Sequence, residues 1–452
     1  MFSKDFIWGV STAAFQIEGA AYEDGKGPSV WDTYCKVPGK IKNGDTGDVA
    51  CDHYHRYKED VALMKELGVK NYRFSVSWPR IIPNGTGEVN PKGIEFYSNL
   101  VDELLNAGIT PYVTLFHWDT PQSVEDRGGW MNPEVSDWFA NYTAVVADAL
   151  GDRVKNFITF NEPQCFIGAG YCGVAMAPEK RQATQFIVKA AHNVLLSHGK
   201  AVKVLREKVK DVKIGYAPCG NYYFPADENS ESDIEAARKM TFSMEKSLTD
   251  FGWSISWWSD PVCLGRYPDE YIDFFEKFLP ENWQKDMETI YQPLDFYGQN
   301  LYQGTAVTTD ENGEPICLRH PTGYPHTSFD WPITPKAIKW AAIYLQQRYK
   351  KPIIFTENGM ANADVVSLDG KVHDPARIDF LHRYLKCVSE ANDMGADVIG
   401  YFQWSFMDNM EWASGYNQRF GLVFVDYQTL ERIPKDSAYW YKQVMETNGE
   451  NI

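Results

Sequence analysis

One pattern runs the length of this 452-residue chain. A short apolar segment ends in polar or aromatic residues, a loop follows, and an amphipathic stretch leads to the next apolar segment. Eight such segments stand at residues 6–18, 71–78, 110–119, 156–163, 212–219, 295–304, 352–359 and 398–406. Each is rich in β-branched or aromatic residues and bounded by turn formers, as strands are. Several open on an unbroken apolar run, which suits parallel strands covered on both faces. Between them, Tyr57, Val61, Met64 and Leu67 share one helical face, with Gly68 in place of a C-terminal cap. Ile94, Tyr97, Val101, Leu104 and Leu105 form a second stripe ending at Gly108, and Ile338, Ala341, Ala342 and Leu345 a third before Pro352. Eight strands alternating with helices predict a (β/α)₈ TIM barrel, one domain over residues 1–452, with an open doubly wound sheet as the competing arrangement. The chain exceeds a minimal barrel, so long βα loops are expected over the C-terminal mouth, at 16–54, 79–93, 163–185, 219–251 and 302–334.

Composition narrows the function. A hydrophobic content of 44% excludes general disorder. Lys plus Arg is 44 against 61 Asp plus Glu, a formal charge of −17, which argues against nucleic acid or an anionic membrane as partner. No apolar run reaches the length of a membrane span, and the opening residues lack the basic and apolar regions of a secretion signal. The eight cysteines form no C-x-x-C pair and read as free thiols in a reducing cytoplasm. H-E-x-x-H, G-x-G-x-x-G and Walker patterns are all missing, so no metal or cofactor is expected, and His53 and His55 read as structural. Nothing in the pattern specifies an oligomer.

The C-terminal ends of barrel strands are where such folds place chemistry. Here those ends carry Gln16 and Glu18, Arg73, His117 and Trp118, Asn161 and Glu162, Asn300 and Tyr302, Glu357 and Asn358, and Trp404. Any one of them is ordinarily a satisfied core group or a helix cap. Together they are costly, because each buried polar group left unpaired costs about 1–3 kcal/mol. Glu162 and Glu357 end the fourth and seventh strands and face one mouth, which is the arrangement used to hydrolyse glycosides.

The same residues carry a resemblance. T-F-N-E-P at 159–163 and T-E-N-G at 356–359 are similar to the two signatures of the family 1 glycoside hydrolases, the β-glucosidase type. The likeness extends through F-I-W-G-V-S-T-A-A-F-Q-I-E-G at 6–19, Y-R-F-S-V-S-W-P-R at 72–80 and L-F-H-W-D-T-P at 115–121. It continues in W-S-F-M-D-N-M-E-W-A-S-G-Y at 404–416, F-G-L-V-F-V-D-Y at 420–427 and K-D-S-A-Y-W-Y at 435–441. The resemblance implies a retaining β-glucosidase that removes terminal glucosyl residues from small β-glucosides or β-linked disaccharides such as cellobiose. Glu357 would be its nucleophile and Glu162 its acid/base, with Arg73, Asn300 and Tyr302 in support. A retaining pair implies a carboxyl separation of about 5–5.5 Å. Gln16, His117, Trp118, Asn161, Trp404, Glu411, Trp412 and Phe420 would bind sugar, and Trp331 would form the platform on the leaving-group side. Glu411 argues for an unphosphorylated sugar, since a carboxylate repels a phosphate dianion. Two features depart from the family pattern: Met410 stands where Phe is usual, and residues 173–180 read G-V-A-M-A-P-E-K, without the usual His. Transglycosylation through the same intermediate, and a sugar receptor on the same fold, are the alternatives.

Overall fold

A computed structural model describes residues 2–244 and 250–452. Its eight central strands are Ile7–Ser11, Asn71–Ser75, Thr110–Phe116, Asn156–Asn161, Lys213–Ala217, Tyr297–Asn300, Ile353–Asn358 and Val398–Trp404, all parallel to their neighbours. The first strand pairs with the second and the eighth, Gly9 opposite Asn71 and Ile7 opposite Gly400. The fifth and sixth approach at the remaining seam, where the Asp295 N–H donates to the Ile214 carbonyl at 2.9 Å and the Asn300 N–H to the Pro218 carbonyl at 3.1 Å. The sheet is therefore a barrel and not the open alternative. Tyr112, Ile158, Phe296, Ile354 and Phe402 form an apolar cluster of their own, separate from the larger core. They fill the barrel interior and make a dry floor under its mouth, as layered side chains do in this fold.

Helices cover the outside, and their ends follow local chemistry. The Pro91–Asn106 helix starts with Asn90, whose side chain accepts from the Lys92 N–H, and with Pro at its first position. Gly68 and Gly108 follow their helices with φ of +73° and +78°, a left-handed turn that glycine adopts without steric cost. Leu105 departs from its predicted stripe: it is 41% exposed, while Leu104 at the neighbouring position takes the buried face. Among the described residues no helix is long and apolar enough to cross a membrane. Positions 245–249 of the predicted loop at 219–251 lie outside the described residues.

The first predicted segment is too long. After Ser11 the chain turns into a short helix, Ala14–Ile17, so Gln16 and Glu18 are displaced from the strand end. Glu18 is consumed structurally: Arg80 Nε donates to it at 2.9 Å and Tyr97 OH at 2.6 Å, pinning the first loop to the second.

Past the C-terminal ends of the seventh and eighth strands lies a wholly buried ionic cluster. Lys435 Nζ donates to Asp364 at 2.5 Å and to Asp408 at 2.7 Å, and Arg377 donates to Asp364 at 2.6 Å. Removing one partner leaves a buried charge uncompensated, which costs about 3–5 kcal/mol. Asp364→Ala is therefore expected to lower the unfolding free energy by about that amount. A drop in denaturant midpoint measures it, and an unchanged midpoint would show that the cluster is not the tie it resembles.

Candidate active site

Two irregularities in the barrel aim the central carboxylates. Between the seventh and sixth strands the pairing runs Phe355 opposite Gln299 and then Glu357 opposite Asn300. Thr356 is the extra residue, so side chains at 356 and 357 both serve the interior. A similar shift follows Ile158 on the fourth strand, where pairing resumes at Asn161 opposite Ala217. Bulges of this kind re-aim side chains beside active sites. Three residues at the mouth also hold left-handed backbone without being glycine: Trp118 (φ 75°), Glu162 (φ 43°) and Trp412 (φ 48°). Such positions cost about 1–3 kcal/mol each and persist where the surroundings enforce them.

Arg73 organises the floor. It is fully buried; its Nη1 donates to Glu357 Oε1 at 2.6 Å and to the Thr356 carbonyl at 3.1 Å. Its Nη2 donates to Asn161 Oδ1 at 2.6 Å, and its Nε to Thr114 Oγ1 at 3.1 Å. Tyr302 OH donates to the other Glu357 oxygen at 2.8 Å. Asn300 links the two carboxylates' surroundings: its Nδ2 donates to Glu162 Oε1 at 2.8 Å and to Asn161 Oδ1 at 2.9 Å. Thr356 Oγ1 donates to Asn300 Oδ1 at 2.6 Å, which fixes the orientation of that amide.

Because Asn161 Oδ1 accepts from both Arg73 and Asn300, its Nδ2 is the group that faces His117 Nε2 at 3.1 Å. His117 is neutral, since burial and then the Arg73 charge hold its pKa well below the usual range. Its Nε2 therefore accepts and its Nδ1 carries the hydrogen, with no protein partner. Trp118 Nε1 donates to the Asn161 carbonyl at 3.0 Å.

The two glutamates differ in what opposes burial. Glu162 is raised to about 8, first by burial and then by the charge on Glu357; Asn300 and Cys165 donate to it but no cation touches it. Glu357 is also raised by burial, against the direct Arg73 charge and the hydrogen bonds from Arg73 and Tyr302. The pair thus splits, with the proton on Glu162 and the charge on Glu357. Glu411 too is raised to about 8, by burial and then by the charges of Glu357 and Glu162. One Glu411 oxygen, Oε2, has no protein partner.

These groups line a cavity of about 450 Å³ at the barrel mouth, a volume that suits a small ligand. Glu162, Glu357, Glu411, His117, Trp404, Trp412, Trp331, Phe329 and Trp253 are all on its wall, and Trp331 and Phe329 pack in one apolar cluster with Trp404. Trp118, Asn300, Tyr302 and Phe420 are on the wall as well. Arg73, Asn161 and Gln16 are fully buried among the residues that bear it. Gln16 donates to Asn409 Oδ1 at 3.0 Å and to the Met410 carbonyl at 2.9 Å, leaving its own oxygen without a protein partner. Met410 is completely buried next to Gln16, and its apolar volume fits where an aromatic ring was expected. Three buried contacts went unread in the sequence: Thr114 and Thr356, which orient Arg73 and Asn300, and Cys165, whose Sγ donates to Glu162 Oε2 at 3.2 Å. Only Thr356 had a signal, since it precedes a strand-end glutamate.

A neutral acid and a charged carboxylate over one sugar-sized cavity can protonate a leaving oxygen and attack an anomeric carbon. Residues 1–450 match the model of glycosyl hydrolase family 1. The chain belongs to glycosyl hydrolase family 1. It is 46% identical over 449 residues to beta-glucosidase A of Thermotoga maritima, covering 99% of this chain and 98% of that one. It is 38% identical over 494 residues to beta-glucosidase 12 of Arabidopsis thaliana, covering 100% and 93%. The structure of the Thermotoga maritima beta-glucosidase in complex with glucoimidazole superposes with a TM-score of 0.89, at 46% identity and 99% coverage of both chains. As a family 1 enzyme the chain is a glycoside hydrolase of the retaining class.

Proposed function

We propose that the enzyme is a β-glucosidase that removes terminal glucosyl residues from small, unphosphorylated β-glucosides, with Glu357 as nucleophile and Glu162 as acid/base. The observation that carries the assignment is the unequal pairing: Glu357 is held by Arg73 and Tyr302, whereas Glu162 meets only neutral donors. In the first step Glu357 attacks the anomeric carbon, the glycosidic C–O bond breaks, and the proton on Glu162 passes to the leaving oxygen. In the second, Glu162 takes a proton from water, whose oxygen displaces Glu357 and restores both carboxyl groups. Two inversions give net retention, and the carboxyl separation this requires is about 5–5.5 Å.

The sugar-binding assignment follows from unmet hydrogen-bonding capacity. The His117 Nδ1–H, the Gln16 carbonyl oxygen and Glu411 Oε2 are buried and lack protein partners, which suits hydroxyl groups. Asn161, the residue next to Glu162, is taken as the partner of the 2-hydroxyl by family resemblance, and Trp404 and Trp412 on the cavity wall offer flat surface to the C–H face of a pyranose. Trp118 and Phe420 complete that wall, and Trp331 serves the leaving group. Repulsion from Glu411 is not what disfavours a 6-phosphate, because burial favours the neutral acid there. The lack of a counter-charge supports that reading instead: among the described residues no lysine or arginine lines the cavity, and Arg73 is already engaged. We assign the whole chain to one catalytic domain, since one apolar core joins Phe6 to Val444. We assign it to the cytoplasm, in keeping with cysteines that form no C-x-x-C pair.

The test is stereochemical. Proton NMR of a nitrophenyl β-glucoside during hydrolysis is expected to show β-glucose first, with α-glucose appearing only by later mutarotation. Early α-glucose would overturn the nucleophile assignment, and no turnover at any pH would favour the sugar receptor.

A further inference from the structure

Two thiols stand beside Glu162 that the hydrolysis above does not use. Cys165 lies on the short helix Gln164–Ala169 after the fourth strand, and Cys219 lies two residues past the fifth. Their sulfurs are 4.0 Å apart, and Cys165 Sγ is 3.2 Å from Glu162 Oε2. Both sulfurs and a Glu162 oxygen lie within 4.8 Å of one another. All three residues line the cavity, so an ion in solvent has a path to them. A tetrahedral ion with bonds of about 2.3 Å to sulfur and about 2.0–2.2 Å to carboxylate oxygen places its ligands about 3.5–3.8 Å apart. Movements of a few tenths of an ångström bring the observed sulfur pair to that spacing.

We propose that Cys165, Cys219 and Glu162 form a binding site for a thiophilic divalent cation, Zn²⁺ or Cd²⁺, and that its occupancy arrests glycoside hydrolysis. The inhibitory half of this statement rests on the reading of Glu162 as acid/base. Two sulfur donors and one carboxylate select soft ions over Mg²⁺ and Ca²⁺, which prefer all-oxygen sites. A fourth position is left to water from the cavity that the three residues line. Binding is a ligand exchange without electron transfer: two metal–sulfur bonds form as two S–H protons leave to solvent, and Glu162 contributes an oxygen after losing its own proton. A metal-bound Glu162 can neither protonate a leaving oxygen nor accept a proton from water. The reaction stops even though Glu357, Arg73 and the sugar-binding wall are untouched.

Proton displacement gives the site a fingerprint. An ordinary cysteine thiol carries its proton near neutrality. Both thiols are thus protonated when the ion arrives, and apparent affinity rises by about tenfold per pH unit for each proton released: about 100-fold for the two thiols, and about 1000-fold where Glu162 also gives up its proton. A site of surface carboxylates would show almost no such slope near neutrality.

The experiment titrates Cd²⁺ into the full-length enzyme, kept reduced by a phosphine, and follows the ultraviolet thiolate-to-metal charge-transfer band alongside nitrophenyl β-glucoside hydrolysis. The expected result is one tight ion per chain, an affinity with the steep pH slope, and half-inhibition at the concentration that half-saturates the band. Cys165→Ser and Cys219→Ser are each expected to weaken binding on the order of 100-fold and to shift half-inhibition equally. The exposed thiol provides the control, and Cys317→Ser is expected to change nothing. An unchanged band in both Cys165→Ser and Cys219→Ser would overturn the site, as would full occupancy without inhibition. If the enzyme fails to hydrolyse β-glucosides at all, the proposed function falls while the band still reports on the site.

Discussion

Glu357→Gly is expected to lower kcat/KM for a nitrophenyl β-glucoside by about 10⁵-fold, equivalent to about 7 kcal/mol of transition-state stabilisation. The carboxylate it removes is the one gripped by Arg73 Nη1 at 2.6 Å and by Tyr302 OH at 2.8 Å. Those two donors remain in the variant and surround a carboxylate-sized gap, and Arg73 keeps its bonds to Asn161, Thr114 and the Thr356 carbonyl. The gap then suits a small anion of the same chemistry. Formate is expected to restore at least tenfold of the lost rate, which a misfolded protein would not allow. Hydrolysis persisting above about 1% of the parent rate would assign the nucleophile elsewhere.

Glu162→Gln is expected to divide substrates by leaving group. A sugar alcohol leaves poorly without a proton, so kcat/KM for a β-linked disaccharide should fall by about 10³–10⁴-fold, toward the upper range for general-acid catalysis. A dinitrophenolate leaves unaided, so its kcat/KM should change by less than about tenfold, while kcat drops because water attack loses its base. The pH profile gives an independent check. Glu162 must be protonated in the free enzyme, and burial with the nearby Glu357 charge puts it at about 8. Activity of the parent on the disaccharide is therefore present below pH 8 and lost as pH rises through that value. In Glu162→Gln the alkaline limb should vanish. A uniform loss across both leaving groups, with the limb intact, would assign the acid to another residue.

Much of this was legible in the chain because a barrel repeats itself. Each strand needs its own apolar run and each helix its own stripe, so the eight segments announced themselves, and Glu162 and Glu357 stood out as charges at the ends of runs that are otherwise buried. Local errors arose where a residue's role depends on a distant neighbour. Segment 6–18 looks extended from end to end, yet Ala13 and Ala14 let the chain coil, and Glu18 meets Arg80 62 positions later. The β-rich additions were unread as well: Thr305–Thr309 between Tyr223–Pro225 and Pro315–Cys317, and the Val423–Val425 pair with Arg432–Pro434, are short and irregular. Cys165 and Cys219 are 54 residues apart and have no spacing signature; only the fold brings them together. The charge state of Glu411 was equally hidden, because burial is set by the whole mouth.

The first strand has half of its hydrogen-bonding partners at the far end of the chain, Ile7 opposite Gly400 and Ser11 opposite Trp404. Ribosomes add about 5–20 residues per second. The amino-terminal strand therefore emerges roughly 20–80 seconds before its last neighbour exists. Through that interval a nascent chain carries a one-sided, apolar ribbon whose edge is open to any other growing polypeptide. Synthesis of this protein is consequently expected to lean on chaperones that shield the first segment, and shortened products ending before the eighth strand should aggregate instead of accumulating as partial enzymes.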